Sequence, residues 1–135
     1  MNGRVIKCSQ QTDLKKSQII TEFGSGRVSA DIDVKCANMR TLIDKVHSLR
    51  CLGSAALNSC YVANGCADLY YEYGIHIWDI AAAVLIAKEA GCFIFDPVTG
   101  SETLNLLDRR VMISASRELA LKVIPLINHV IYESD

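Results

Sequence analysis

The chain has 135 residues, of which 50% are hydrophobic and 21% charged, with a formal net charge of -1. That balance describes a globular domain, or part of one, with enough apolar material for a core, and it excludes a disordered segment. Lysine and arginine are scattered without a basic stripe, which excludes a nucleic-acid surface, and the longest apolar run, Ile80–Ala87, is too short to cross a bilayer.

Taken in chain order, Asn2-Gly3 is a hairpin-turn dipeptide, because both residues tolerate positive φ. A strand is expected after it, over Arg4–Ser9. Only Met1 precedes it, so the chain reads as opening inside a hairpin, as a fragment would. Ser17–Phe23 is a second expected strand, closed by Gly24-Ser25-Gly26. Ile32, Cys36, Met39, Ile43 and Val46 recur at helical spacing and are expected to form the inward face of a helix. His47–Leu52 predicts a strand, and Ala55–Ala63, small and apolar, a buried helix. Asp68–Tyr73 is rich in aromatic residues and reads as a strand. Trp78-Asp79 leads into a helix over Ile80–Ala90, with Gly91 at its C-terminal end. Cys92–Phe95 and Arg109–Ala115 are further strands, separated by a turn at Asp96–Gly100. The last helix is expected over Arg117–Ile131, with Leu119, Val123, Leu126, Ile127 and Val130 inward and an interruption at Pro125. Strands alternating with helices imply crossover connections, hence an α/β fold with a mixed, mostly parallel sheet flanked by helices.

Six cysteines occur without a C-x-x-C pair and with only three histidines, so neither a structural zinc site nor a disulfide framework is expected. This usage fits a reducing, cytoplasmic setting. No nucleophile elbow, catalytic triad or P-loop is present.

Three places could carry chemistry. Glu72, at a strand end, and Asp79, at a helix start, would face the crevice where α/β sheets bind ligands. Carboxylate oxygens there suit magnesium, although an aspartate at a helix start is also an ordinary cap. Gly53, Ser54 and Ala55 would let a ligand approach exposed N–H groups at a helix start, or would simply pack closely. Asp96-Pro97-Val98-Thr99-Gly100 has the outline of a metal-binding loop but has Thr99 where a second aspartate would be needed, and is read as a plain turn.

Gly53-Ser54-Ala55-Ala56-Leu57-Asn58, then Ala67-Asp68-Leu69-Tyr70-Tyr71-Glu72-Tyr73-Gly74, then His76-Ile77-Trp78-Asp79-Ile80-Ala81-Ala82-Ala83 resemble, in order and spacing, the C-terminal motifs of the inositol monophosphatases. The likeness extends over essentially the whole chain, from Asn2-Gly3 to the strand around Arg109-Arg110-Val111. It implies the second half of a layered α/β/α/β/α sandwich. It also implies a lithium-sensitive phosphatase in which magnesium assists hydrolysis of an inositol monophosphate. By this resemblance Asp79 is a metal ligand that also approaches the inositol, Glu72 contacts inositol hydroxyls, and Gly53, Ser54 and Ala55 line the pocket. The family's other metal-binding motifs, G-E-E and D-P-I-D-G-T, belong to its first half and are absent here. The expectation is therefore a chain that is inactive alone. It would form a homodimer or associate with the missing N-terminal half, unless it serves as a non-catalytic module paired with a complete subunit or belongs to a related phosphatase with another sugar or nucleotide phosphate as substrate.

Overall fold

The computed structural model describes residues 1–135. Five strands, β1 (Gln18–Thr21), β2 (Ser48–Arg50), β3 (Leu69–Tyr73), β4 (Phe93–Phe95) and β5 (Arg110–Ser114), alternate with four helices. These are α1 (Ser29–Ile43), α2 (Ala55–Ala63), α3 (Ile77–Glu89) and α4 (Arg117–Val123). The sheet order is β2-β1-β3-β5-β4. β1 pairs in parallel with β2 and β3, and β5 pairs antiparallel with β3 and β4. β1 to β4 therefore all point the same way, and β5 alone runs against them. The sheet is mixed and mostly parallel in direction, as expected.

Side chains alternate across a strand, and here the alternation builds two cores. Ile20, Tyr70, Ile94, Val111 and Ile113 pack against Val62 and Ala63 of α2 and Ile80, Val84 and Ala87 of α3. Ile19, Leu69, Tyr71, Tyr73, Phe95 and Met112 pack against Leu42 of α1 and Leu119, Ala120 and Val123 of α4. The result is three layers, with α1 and α4 on one face and α2 and α3 on the other.

Three expectations change. Asn2 and Gly3 do adopt positive φ, 50° and 75°, but Arg4–Ser9 forms no strand. The backbone of Cys8 bonds singly to the Ala90 carbonyl, and Ser9 Oγ donates to Asp68 Oδ1 at 2.5 Å. The segment lies beside the end of α3, where no strand offers it a ladder. The inward face of α1 is also not the expected one. Lys35, Asn38 and Leu42 are buried, whereas Cys36 and Ile43 are exposed. The polar side chains face in because they have partners there. Asn38 exchanges two hydrogen bonds with the backbone of Asn128, at 2.8 and 2.7 Å. Lastly, α4 ends at Val123 and a 3-10 turn follows over Ile124–Leu126. Pro125 has no N–H and clashes with the preceding turn, so residues 127–135 leave the helix and run back along the molecule. Ile127 and Val130 stay buried all the same.

The turn at Asp96 is structural, as read. Asp96 is buried and takes a two-pronged ion pair from Arg110, Nε to Oδ1 at 2.8 Å and Nη2 to Oδ2 at 2.9 Å. Oδ1 also accepts from the Val98 N–H. Burial opposes its charge, but the Arg110 hydrogen bonds and the Val98 N–H prevail and hold the carboxyl below its usual range. Removing one partner strands a buried charge, so Asp96→Ala should cost about 3 kcal/mol in chemical denaturation. Because the folded pKa is depressed, this stabilisation is present above the unfolded value near pH ~4 and is lost as pH falls further. The gap between wild type and Asp96→Ala should narrow in denaturation curves at progressively lower pH.

Candidate functional site

From β1 the chain crosses by α1 to β2 at one edge, and from β3 it crosses by α3 toward β4 at the other. These connections depart in opposite directions, on opposite faces of the sheet. Adjacent strands of this kind leave a crevice outside their carboxyl ends, the usual ligand site of open α/β sheets. A cleft of about 690 Å³ lies there. Glu22 and Gly24 reach it from the end of β1, Gly53 and Ser54 from the loop after β2, Ala55 and Ala56 from the first turn of α2, and Glu72 and Gly74 from the end of β3. Trp78 and Asp79 reach it from the start of α3. All five residues singled out from the sequence, Gly53, Ser54, Ala55, Glu72 and Asp79, therefore share one cleft.

Glu72 is 6% exposed and sits on the face of β3 that packs against α2 and α3. The Tyr70 hydroxyl, two residues back on the same face, donates to its Oε2 at 2.5 Å. Burial pushes the Glu72 carboxyl up to about 7. The Tyr70 bond pulls it down, the Glu22 carboxylate pushes it up, Lys35 pulls it down and Asp79 pushes it up. Tyr70 itself titrates well above its ordinary value, through burial and then the charge of Glu72. Beyond Tyr73 the chain turns at Gly74, with φ 90°. A Cβ there would lie 2.9 Å from the Tyr132 ring, so only glycine fits both the backbone and the space.

Asp79 occupies the first turn of α3. The helix starts three residues earlier than expected, with His76 at the N-cap, and Asp79 instead makes the return bond of a capping box, its Oδ2 accepting from the His76 N–H at 2.9 Å. Capping engages one oxygen, and the side chain still lines the cleft. The His76 ring stacks on the exposed Trp78, with centroids 4.5 Å apart. Ser54 caps α2 by accepting from Leu57 N–H at 3.3 Å. Gly53 precedes it at φ 86°.

Sequence reading missed Glu22, Lys35, Arg109 and Tyr132 in the cleft. Glu22 Oε1 accepts from the N–H groups of Leu52 and Gly53, at 2.6 and 2.8 Å, and from Asn58 Nδ2 at 2.9 Å. It thereby fixes the loop that presents Gly53, Ser54 and Ala55. The expected strand ran to Phe23 and enclosed Glu22, whereas β1 ends at Thr21 and frees that carboxylate for the loop. Lys35 and Tyr132 come from α1 and the C-terminal segment, where only the tertiary fold makes them neighbours.

No three His, Cys, Asp or Glu side chains converge closely enough to hold a metal ion by themselves. Three carboxylates, Glu22, Glu72 and Asp79, line the cleft, and carboxylate oxygens suit a hard cation that keeps waters and phosphate oxygens as its other ligands.

A sequence model of the Inositol monophosphatase family matches residues 1–132. Rat inositol monophosphatase 2 is 38% identical over 135 residues, covering 99% of this chain and 46% of that protein. Human inositol monophosphatase 1 is 44% identical over 132 residues, covering 93% and 47%. Among solved structures, the extragenic suppressor protein suhB of Bartonella henselae superposes with TM-score 0.83 at 25% identity, covering 96% of this chain and 48% of that one. The Thermotoga maritima IMPase superposes with TM-score 0.75 at 30% identity, covering 92% and 46%. The chain belongs to the inositol monophosphatase family, a family of phosphoric monoester hydrolases, and it spans about half the length of these relatives.

The Glu72 carboxyl gives this cleft a measurable signature. Its folded pKa lies above the unfolded value near 4.3, so the folded state binds more protons between about pH 4 and 7. Glu72 therefore weakens the fold as pH rises through that window, by roughly 3 kcal/mol in total. Urea denaturation at pH 5 and pH 8 should show Glu72→Gln gaining stability relative to wild type at the higher pH.

Proposed function

We propose that this chain is the polyol-binding half of an inositol phosphate phosphatase, which hydrolyses an inositol monophosphate to inositol and phosphate. The observation that carries the reading is the meeting of Glu72, Asp79 and the Gly53–Ala55 loop in one cleft at the switch point of the sheet. Glu72, held by Tyr70 at a strand end, accepts hydrogen bonds from ring hydroxyls. The small residues Gly53, Ser54 and Ala55 let the ring approach the first turn of α2. Asp79, anchored through Oδ2, keeps a second oxygen for a cation and the adjacent substrate. Magnesium, when bound, would polarise the phosphate and lower the pKa of an attacking water.

The chain's own residues bind and orient, and they do not complete a metal site. These 135 residues alone are therefore expected to be inactive, the remaining ligands coming from a complementary half. The outer side of the α2–α3 layer exposes Leu57, Tyr61, Leu85 and Ile86. Apolar surface of that kind supports a further layer packing over it. Val28, Cys36 and Ile43, exposed in and beside α1, offer a separate face for pairing between subunits. No helix is long and apolar enough to cross a membrane.

A magnesium-dependent phosphate-release assay tests the reading. The isolated chain should show no turnover of inositol monophosphate above blank, and addition of the complementary half should restore it. In the restored enzyme, Asp79→Asn should lower kcat by at least about 100-fold, since even outer-shell partners of metal ligands are worth 10–100-fold. Glu72→Gln should act mainly through KM, the mark of lost ground-state binding. Near-normal kcat in Asp79→Asn would reduce that residue to a helix cap.

A further inference from the structure

Lys35 is buried, 6% exposed, while every other lysine in the chain is exposed. It stands on the inner face of α1 and lines the cleft. Its Nζ donates to the Phe23 carbonyl at 2.8 Å and to the Tyr132 hydroxyl at 3.3 Å, with a longer bond to the Tyr73 carbonyl at 3.5 Å. Phe23 lies just beyond β1 and Tyr73 ends β3, the two strands that flank the crevice. Tyr132 belongs to the segment that returns from α4, and its ring also lies 5.1 Å from the Arg109 guanidinium carbon. One side chain thus joins three separate walls of the cleft.

Lys35 also stands close to Glu72. A Cβ built on Gly24 would lie 3.6 Å from Lys35 Nζ and 3.9 Å from Glu72 Oε1. The two charged groups therefore flank the same glycine without forming a direct ion pair. The titratable groups facing Glu72 come from every surrounding element: Tyr70 on its own strand, Glu22 beyond β1, Cys51 beyond β2, Asp79 on α3 and Tyr132 on the C-terminal segment. Among them Lys35 is the cation. Burial opposes the charge on Lys35, and Glu72 and Asp31 support it.

We propose that Lys35 is a positioning residue of this cleft: it fixes the ends of β1 and β3 and the C-terminal segment in register and sets a positive charge on the side of the cleft where Glu72 accepts ligand hydroxyls. The second part rests on the reading of Glu72 as a polyol contact. Lys35 touches no reacting atom. It acts through the carboxylate beside it and the loops it ties.

The test uses the whole 135-residue chain with carbon-13 at the glutamate carboxyls, followed by NMR through a pH titration. In Lys35→Met the Glu72 midpoint should rise by about one pH unit, and Lys35→Arg should return most of the difference. Coupling between two sites is reciprocal, so in Glu72→Gln the Lys35 ammonium midpoint should fall by a similar amount, and this arm decides if Lys35→Met does not fold. A folded Lys35→Met with an unmoved Glu72 midpoint would overturn the proposal, as would an unmoved Lys35 in Glu72→Gln. Titration of the wild-type chain with myo-inositol reads the polyol contact separately. If Lys35→Met shifts Glu72 but inositol leaves its signal unchanged, the positioning role stands and the polyol reading falls.

Discussion

The fold turns on β3. All five of its residues are buried, and it bonds in parallel to β1 on one side and antiparallel to β5 on the other. A strand so enclosed cannot tolerate a charge along most of its length. Glu72 survives because it comes one residue before the end, where the cleft opens and Tyr70 can reach its carboxyl. The same strand starts beside Asp68, whose Oδ2 accepts the Gln18 N–H at 2.7 Å and whose Oδ1 accepts from Ser9. The carboxylate at its entry sets the register against β1, and the carboxylate near its exit faces the cleft.

Much of this was legible in local pattern. The aromatic-rich run predicted β3, and the small apolar run predicted α2 with the bounds observed, Ala55–Ala63. The alternation of strands and helices predicted the layers. Asp79 and Glu72 could be placed at the cleft because a helix start and a strand end are both local features. What was not legible depended on distant partners. The spacing of Ile32, Cys36, Met39 and Ile43 suggested an apolar inward face for α1, yet Lys35 and Asn38 turn inward. Their partners, Tyr132 and Asn128, lie 97 and 90 residues away. No window on the sequence contains both members of either pair. Arg4–Ser9 failed as a strand for a related reason, since alternation suggests a strand but cannot supply a neighbour.

The cleft's electrostatics follow from who can be hydrated there. Glu22, Glu72 and Asp79 gather carboxylates at the open ends of parallel strands, and like charges at such range raise one another's cost of ionisation. The fold answers each differently. Glu22 is held by two backbone N–H groups and an amide. Asp79 caps a helix whose dipole favours a negative charge at that end. Glu72, the most enclosed, has a tyrosine hydroxyl and a lysine, and it is the one whose carboxyl is pushed up to about 7. Three acids of one kind thereby acquire three different characters: a loop anchor, a cap with an oxygen to spare, and an acceptor near its titration point.

That differentiation bears on how the family's chemistry divides along the chain. A cation site needs several oxygens fixed at once, and this half brings no such cluster. On the function proposed above, a polyol site needs acceptors beside small residues, and the cleft sets Glu72 near Gly53, Ser54 and Ala55 with the hydrogen bonds of Tyr70 and Ser54 already made. Preorganised contacts cost little at binding, so the recognition surface can stand complete in a chain whose chemistry is not. On the function proposed above, the second half would carry shape and hydroxyl recognition in its own fold, and joining the other half would add metal and water to a cleft that already knows where the ring should lie.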